Sequence, residues 1–518
     1  MHFLRDPQTF QGIAGPISRL RAAVPSALAA FALAAFFGGA CGQTPTPDSA
    51  LRIGLAGEPV TMDPHLQDHA VTFTVLHNLF ETLVTFDSER RIQPALAVSW
   101  STPAEDVWRF RLRDGVTFHD GRPLTAEDVV GSLLRARDHD ESRVDGYLAS
   151  VTDVRAVDRT TVEVSTRGSA PLLLGKLALV YIVPVDAPPR ISRPIGSGPY
   201  TLGDSEPGHS IAMRAFDGHW RGPPDVTRAE FHFFDRQGDR LDALRRGELD
   251  LIHEVPGVEA EELGKEPNLE IRERLGPRLH YLHLHPGRPP FDDLRIRAAV
   301  DLALDRGVLA EELLGGYGAA AGQMTNPEVF GYSPELRPTV CDPEAARGLL
   351  REAGYPDGFD IDLHVREGRP AGPIIRQLAR VGIRARAVAS PWGELYPRLK
   401  SRDVGFYYGG WSSVSGDASD FLDNKAHTAD DARGLGGSNF VGFSDPEVDR
   451  LIEASSLAFN TETRRGLLQQ AAVQIAEAKV FLPLVMISDL YAVRRDLEWQ
   501  PRVDGRIVIA EMRLSEDP

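Results

Sequence analysis

The sequence predicts an α/β protein with more than one lobe. The chain has 518 residues, which is more than a single hydrophobic core normally organises. Segments typical of strands alternate with segments of helical periodicity along the whole length, and no internal repeat has a solenoid period. Hydrophobic residues make up 42% of the chain and charged residues 25%, as in ordinary globular proteins. These observations favour helices packed on sheets in two or three lobes.

The charge balance argues against a nucleic-acid partner. The formal net charge is −17 at pH 7. Proteins that bind phosphate backbones need basic patches, whereas an acidic balance mainly favours solubility.

The N-terminus has the features of an export signal. Arg19 and Arg21 precede an apolar run over residues 22–40, which is interrupted by Pro25-Ser26 and is short for a membrane span. We therefore expect residues 1–40 to be a cleaved signal peptide.

Cys41 follows directly after the small residues Gly38-Gly39-Ala40. This arrangement resembles a bacterial lipobox, so we expect Cys41 to be the lipid attachment site, although Gly38 stands where the pattern prefers Leu. Residues 41–50 would then form a flexible tether, because they are polar and contain two prolines. The alternative is an ordinary cleaved signal followed by an incidental cysteine.

The segment 107–135, VWRFRLRDGVTFHDGRPLTAEDVVGSLLR, is the most informative of the chain. Its first part alternates aromatic or aliphatic residues with arginines, which predicts a half-buried strand. Asp114-Gly115 predicts a tight hairpin with a return strand over Val116–His119. Thr125 and Asp128 have the spacing of a capping box and predict the start of a helix.

Other segments extend the α/β pattern. Strands are predicted over 51–55, 160–165, 177–183, 211–215, 230–234, 249–253, 279–284 and 481–487. Helices are predicted over 71–83, 236–247, 293–306, 343–353 and 464–479, and after Asp445.

No catalytic motif is present in the sequence. It contains no G-x-S-x-G elbow, and GSAPLLLGK at 168–176 has the wrong spacing for a phosphate-binding loop. We expect no catalytic residues and no cofactor. His283 and His285 would share a face of a strand, so they are a possible metal pair; the simpler alternative is polar positions near a cleft, since no carboxylate or Cys at ligand spacing supports them.

VTFHDGRPLTAEDVVGSLLR strongly resembles a motif of the family 5 extracellular solute-binding proteins, the dipeptide/oligopeptide-binding class of bacterial ABC importers. Further ordered matches run along the chain and cover 94–100, 196–200, 290–297, 303–306, 344–358, 410–411 and 443–449. The resemblance therefore extends over almost everything that follows the tether.

The resemblance implies a two-lobed fold like that of the periplasmic binding proteins (class II, with an extra subdomain) and a ligand cleft between the lobes. It implies hinge closure around the ligand and no chemistry. Lobe I would comprise 51–85, 192–277 and 485–518, with 86–191 as its accessory subdomain, and lobe II would comprise 278–484.

The same resemblance implies a function and partners. The protein would be a lipoprotein that captures a peptide or peptide-like solute and delivers it to an ABC permease and its ATPase. It would be a monomer, exported to the periplasm or to the outer face of the cytoplasmic membrane. The alternatives are a receptor for a non-peptide solute, such as an oligosaccharide or an opine, and a receptor for a metal or metal chelate.

A departure from the family pattern concerns the ligand. Many peptide-binding members have an Asp three residues after a conserved Trp, and that Asp binds the peptide α-ammonium. Here Val414 takes this position after Trp411, and an apolar side chain cannot hold an ammonium group. We expect that a free peptide N-terminus is not recognised in the usual way. The alternatives are Asp417 as a substitute, or a shifted register in which Asp417 or Asp420 takes the role.

Further ligand-binding residues follow from the resemblance. Ser412 and Ser413 continue the strand after Trp411, and Tyr408 precedes it. His285 stands where the family usually has Asn. Met62 lies in the polar loop 58–65.

Overall fold

An 11-stranded mixed sheet organises the part of the chain that the computed structural model describes, residues 50–413 and 415–515. The predicted signal peptide, Cys41, the tether up to residue 49 and Val414 lie outside the described residues. The strands are β1 (Leu51–Leu55), β2 (Val84–Phe86), β3 (Ile92–Pro94), β4 (Ala97–Ala104), β5 (Val107–Leu112), β6 (Val151–Asp158), β7 (Thr161–Thr166), β8 (Tyr200–Glu206), β9 (Ser210–Ala215), β10 (Arg228–Phe233), β11 (Leu251–His253), β12 (Leu269–Leu284), β13 (Gly318–Ala320), β14 (Phe359–Arg366), β15 (Ile383–Ser390), β16 (Phe406–Ser412), β17 (Phe481–Arg494), β18 (Leu497–Glu498) and β19 (Arg513–Leu514).

Helices pack on these strands. They are α1 (Ala70–Leu76), α2 (Ala126–Asp138), α3 (Leu173–Leu177), α4 (Gln237–Arg245), α5 (Gly257–Leu263), α6 (Leu294–Leu302), α7 (Arg306–Leu314), α8 (Pro343–Glu352), α9 (Gly372–Ala379), α10 (Trp392–Lys400), α11 (Ser419–Phe421), α12 (Pro446–Leu457) and α13 (Thr461–Ala478). A π-helical turn, Leu422–Ala426, follows α11, and short 3₁₀ turns cover Asp145–Leu148 and Ile509–Glu511. In the stretches with assigned structure, no helix is both long and apolar enough to cross a membrane.

Two long strands connect the two ends of the large sheet. The sheet order is β15-β14-β16-β12-β17-β11-β1-β10-β9-β8, with β13 also paired to β17. β12 has 16 residues and β17 has 14, and they pair antiparallel along most of their length. The pairing is interrupted between Leu275 and Leu279, where Gly276-Pro277 breaks the register.

The hydrophobic residues form separate clusters around this sheet. One cluster is drawn from residues 83–182 and surrounds a four-stranded sheet of order β4-β5-β7-β6. Another combines residues 51–251 with residues 491–512, and two more lie within residues 279–486. Only β12 and β17 pass between these regions as continuous strands of the large sheet.

The segment 107–135 confirms part of its prediction. In β5 the side chains at 108, 110 and 112 are buried, while those at 109 and 111 are exposed. The capping box is present, since the Thr125 backbone N–H donates to Asp128 Oδ2 at 2.8 Å. The face of α2 that contains Val129 and Leu133 is buried.

The predicted return strand Val116–His119 is wrong. β5 pairs instead with β4 on one side and with β7 on the other. Thr117 forms an isolated bridge with Pro123 around Asp120-Gly121, so the second turn of the motif makes the small hairpin. The preceding strand β4, which forms a hairpin with β5, and the distant strand β7 thus take the place of the predicted return strand.

Three other predicted elements differ from the structure. The helix predicted over 71–83 ends at Leu76, because the carbonyls of Asn78 and Leu79 accept hydrogen bonds from the 198–200 backbone instead of continuing a helix. The strand predicted over 177–183 is preceded by α3 and forms only a bridge at Tyr181. The helix predicted over 293–306 ends at Leu302 as α6, and Arg306 begins a second helix, α7.

Candidate functional site

A cavity of about 730 Å³ lies between two walls that come from different parts of the chain. The first wall is built from residues 86–92, Trp108 and residues 171–176. The second wall is built from residues 327–330, 415–424 and 459–465. This size is typical of a small-molecule or short-peptide site.

The tip of the β2–β3 hairpin shapes the first wall. Asp87 holds the turn, since its Oδ1 accepts from the backbone N–H groups of Glu89 and Arg91 at 3.0 and 2.8 Å. Arg90 at the tip has a φ of +64°, in the left-handed region that favours glycine. The turn therefore projects a charged side chain from a strained backbone.

The Arg90 side chain crosses from the first wall to the second. Its Nη1 donates to the Ser413 carbonyl at 3.2 Å, and its guanidinium lies 5.7 Å from the centre of the Phe86 ring. Its Nε is buried without a hydrogen-bond partner in the described part of the chain. Burial lowers the pKa of Arg90, and the nearby Arg506 adds to this, while Asp504 opposes it.

Trp108 also presents an unpartnered donor to this cavity. Its position in the alternating strand β5 buries the ring against Phe110, with ring centres 6.4 Å apart. Its indole Nε1 is buried and has no acceptor among the described residues. The Trp108 ring centre is also 6.4 Å from that of Phe459, so the two walls meet here.

The second wall is held by a buried ion pair. Arg464 at the start of α13 binds Asp417 through two hydrogen bonds of 2.5 and 2.9 Å. Asp417 also pairs with Phe330 in a parallel bridge. The guanidinium of Arg465 lies 4.5 Å from the Phe330 ring centre. These contacts fix the loop 415–418 against the helix.

Two further carboxylates of this wall have different surroundings. Asp420 accepts from the Ser413 hydroxyl at 3.1 Å and from the Ser415 N–H and hydroxyl at 2.7 Å each. Asp423, in the π-helical turn, has a pKa raised to about 7, chiefly by burial and then by the charge of Asp417. Asp420 is therefore satisfied by the protein, whereas Asp423 is poorly stabilised as a carboxylate.

Glu328 and Arg464, on the second wall, also have unpartnered atoms. The Glu328 Oε2 is buried and accepts no hydrogen bond from the described residues, and the buried Nε of Arg464 has no acceptor among them. Buried polar atoms normally find a partner, so orphaned donors at Arg90, Trp108 and Arg464 and an orphaned acceptor at Glu328 need an explanation. All four residues line the same cavity.

The predicted residues Trp411 and Ser412 are the last two of β16 and are not in the lining of this cavity. Trp411 is half-buried, packs edge-on against Phe421 and has an unpartnered Nε1. The buried Lys425 ammonium lies 5.4 Å from the Trp411 ring centre and 4.9 Å from that of Phe440. Burial lowers the pKa of Lys425 to about 8. Ser412 is the last residue of β16.

The structure separates the other predicted residues from this group. Tyr408 is buried, and its hydroxyl is 2.8 Å from Nδ1 of His280. Met62 packs on the cluster of residues 51–251. His285 follows β12 and accepts from the Gly287 N–H at 3.1 Å. Of the predicted ligand residues that are described, Asp417 lines the cavity and Ser413 contacts Arg90 across it.

The described residues give the metal hypothesis no ligand set. His283 is buried, with its Nε2 3.1 Å from the Val404 carbonyl, and burial lowers its pKa to about 3. Within 50–413 and 415–515, no group of three or more His, Cys, Asp or Glu side chains is placed to hold a metal ion. The geometry explains His283 as a hydrogen-bonded core residue.

Sequence reasoning missed Arg90, Glu328 and Arg369. Arg369 has a buried, unpartnered Nη1 and lies 5.3 Å from the Tyr408 ring centre, and a Cβ on Gly410 would come within 3.0 Å of its Nη2. No local pattern distinguishes these three residues from surface charges. Trp108 was expected in the core, but its role in the cavity depends on the opposite wall.

Comparison with known proteins identifies the family. The family model for the middle region of bacterial extracellular solute-binding proteins, family 5, matches residues 91–433. The chain belongs to this family. The match includes the lining residues between Arg91 and Asn424, whereas the lining residues 86–90 and 459–465 lie outside it.

Relatives support the family assignment over most of the chain. The heme-binding protein A of Haemophilus influenzae is 26% identical over 433 residues, which are 76% of this chain and 78% of that protein. The dipeptide-binding protein of Escherichia coli K12 is 26% identical over 479 residues, which are 83% of this chain and 89% of that protein.

The solved structure of another protein has the same fold as this chain. HbpA2 from Haemophilus parasuis superposes with a TM-score of 0.82 at 24% identity and covers 90% of this chain and 100% of that chain. The predicted α/β, two-lobed fold of the periplasmic binding-protein type is confirmed.

Proposed function

We propose that this protein is the solute-binding receptor of an ABC importer and captures a peptide or peptide-like solute in the cavity between the two walls. It would act by binding alone, as a monomer, and hand the solute to the permease and its ATPase. The orphaned polar atoms of the cavity carry this proposal. They are donors at Arg90, Trp108 and Arg464 and an acceptor at Glu328, and a peptide presents both carbonyl oxygens and N–H groups.

The sheet supports closure by a hinge. We propose the lobe boundaries that the sequence predicts, with β12 and β17 as the strands that join lobe I to lobe II. The register break at Gly276-Pro277 lies where these strands leave one set of hydrophobic clusters for the other. Such a break is a place where backbone dihedral angles can change without disrupting a continuous ladder.

We also propose that the protein is an exported lipoprotein. Residues 1–40 would be removed, Cys41 would carry the lipid, and residues 41–50 would hold the two lobes close to the membrane surface, in the periplasm or on the outer face of the cytoplasmic membrane. Labelling with a radioactive fatty acid tests this in intact cells. Label lost on Cys41→Ser supports the anchor, and unlabelled wild-type protein contradicts it.

A thermal-shift screen tests the binding function. Ligands that bind only the folded state raise the melting temperature by mass action. We expect di- and tripeptides to do so. Heme serves as a non-peptide comparison and glutathione as a γ-linked tripeptide, because relatives carry those names. A shift with heme alone would favour a non-peptide receptor, and turnover of any ligand would contradict a pure binding role.

Val414 leads to a further expectation about peptides. If no carboxylate at this position holds the α-ammonium, acetylating the N-terminus of a bound tripeptide should weaken binding only slightly. Loss of binding on acetylation would show that another carboxylate takes that role. Val414→Asp should strengthen the preference for a tripeptide with a free amino group over the acetylated one.

A further inference from the structure

Arg90 keeps a backbone conformation that its residue type disfavours. A φ of +64° brings Cβ close to the backbone carbonyl in any residue except glycine. The Asp87 side chain fixes the turn on both sides of Arg90, so the strain is imposed by the hairpin. Strained non-glycine residues that persist in this way are concentrated at ligand sites, where the side chain has a use that glycine cannot supply.

The Arg90 guanidinium is held in place but remains poorly satisfied. Nη1 donates to the Ser413 carbonyl, a neutral acceptor, and Nε is buried with no acceptor among the described residues. Among the residues with described positions, no carboxylate lies within ion-pair distance of it. By contrast, Arg464 on the facing wall has its carboxylate partner in Asp417.

Gly416 gives the Arg90 side chain its space. A Cβ on Gly416 would lie 2.7 Å from Arg90 Nε and 2.8 Å from Cδ. The loop after β16 thus admits the guanidinium by omitting a side chain opposite it. The Ser413 carbonyl and Gly416 together position the Arg90 side chain.

Burial removes much of the hydration of the Arg90 charge, and the nearby charges act on it in both directions. Asp504 and Asp420 attract it, whereas Arg506 and Arg502 repel it. Both carboxylates have other partners, because Asp504 is shared with Arg502 and Arg506, and Asp420 accepts from Ser413 and Ser415. A carboxylate in the cavity would supply the missing partner in a charge-assisted, bidentate geometry for which guanidinium is well suited.

We propose that Arg90 binds a carboxylate of the solute, so that the receptor selects peptides or peptide-like compounds with a free carboxylate. This inference rests on the proposed function of the cavity as the solute site. It assigns the specificity to the hairpin tip of the first wall, and the Ser413 carbonyl is the acceptor that Arg90 keeps when no carboxylate is bound.

Calorimetric titration with trialanine and with trialanine amide tests this on the wild type and on Arg90→Gln. Loss of a charge-assisted hydrogen bond should make amidation weaken wild-type binding by roughly tenfold to a hundredfold. In Arg90→Gln the same amidation should change affinity by less than about threefold, because the partner charge is gone. Arg111→Gln, on the exposed side of β5, is the matched control and should behave like the wild type.

Two variants separate recognition from folding. Arg90→Gly should lose the discrimination while its melting temperature stays at or above that of the wild type, because glycine adopts this φ without strain. Arg90→Lys keeps the charge and should restore part of the discrimination. An equal amidation penalty in wild type and Arg90→Gln overturns the inference and leaves the proposed function standing. Absence of any wild-type binding to either peptide overturns the peptide function and the inference with it.

Discussion

Arg464 and Arg90 lie on opposite walls of one cavity and differ in how their charges are balanced. Arg464 is buried and forms two hydrogen bonds with the Asp417 carboxylate, although its Nε has no acceptor among the described residues. Arg90 has a single carbonyl acceptor among those residues and a strained backbone. The charge of Arg464 is thus balanced by an ion pair that holds a loop on a helix, whereas Arg90 has no such pair among the described residues and is the arginine that we propose for the solute.

The largest effect on this comparison is expected when the carboxylate that pairs with Arg464 is removed. Asp417→Ala should lower the free energy of unfolding by about 3–5 kcal/mol, because it leaves Arg464 buried without a partner. Urea denaturation measures this. Asp431→Ala, an exposed residue of a nearby loop, is the control and should change stability by less than about 0.5 kcal/mol. A comparably small effect of Asp417→Ala would show that water satisfies Arg464.

The glycine between the two walls should give the next largest effect. Gly416 has a φ of +76°, and an added Cβ would collide with Arg90. Gly416→Ala should therefore cost about 1–2 kcal/mol of stability. The cost should be smaller in the Arg90→Gly background, where the collision is absent. Equal costs in both backgrounds would show that backbone strain alone matters, and Gly437→Ala, with open space around it, is the control.

A substitution of Asp423, on the second wall, should raise the stability of the protein and not lower it. Its folded pKa of about 7 lies above the ordinary value of 3.8, so the folded protein binds an extra proton between these pH values and wild-type stability falls as pH rises through that window. Asp423→Asn should add about 1–2 kcal/mol of stability at pH 8 and nothing near pH 4. Melting temperatures across this range measure it. A pH-independent gain would contradict the raised pKa.

The contact between the walls at Trp108 and Phe459 should give the smallest effect. Phe459 is 37% exposed, so its ring contributes mainly through the aromatic contact. Phe459→Ala should cost about 0.5–1.5 kcal/mol. A double-mutant cycle with Trp108→Ala measures the coupling, and additive costs would show that the two rings do not stabilise one another.

Local patterns were predictable where neighbours in sequence are also neighbours in space. The alternation of β5, the Thr125 capping box and the Asp-Pro starts of α8 and α12 are all present. Each depends on contacts within three or four residues, which the sequence displays directly. The errors occurred where partners outside the local motif decided the outcome, as for Val116–His119, whose expected place beside β5 belongs to the preceding strand β4 and the distant strand β7.

The candidate site was predictable only as a region. The resemblance directed attention to Trp411–Phe421, and Ser413 and Asp417 of that stretch do border the cavity. The role of Asp417 as the partner of Arg464 was not visible, because 47 residues separate them in sequence. Tyr408 lies in β16 and His285 directly follows β12, and only the packing of neighbouring segments decides which side chains face a cleft.

By itself the sequence determined the α/β character, the family and the loop that borders the cavity, since periodicity, turn chemistry and ordered motifs are local properties of the chain. The tertiary structure decided which charges are neutralised and which are not. Asp417 and Arg464, or Arg90 and Gly416, meet only when the hairpin tip, the loop after β16 and α13 converge. Ion-pair geometry and burial exist only after that convergence, so they could not be inferred from the order of residues.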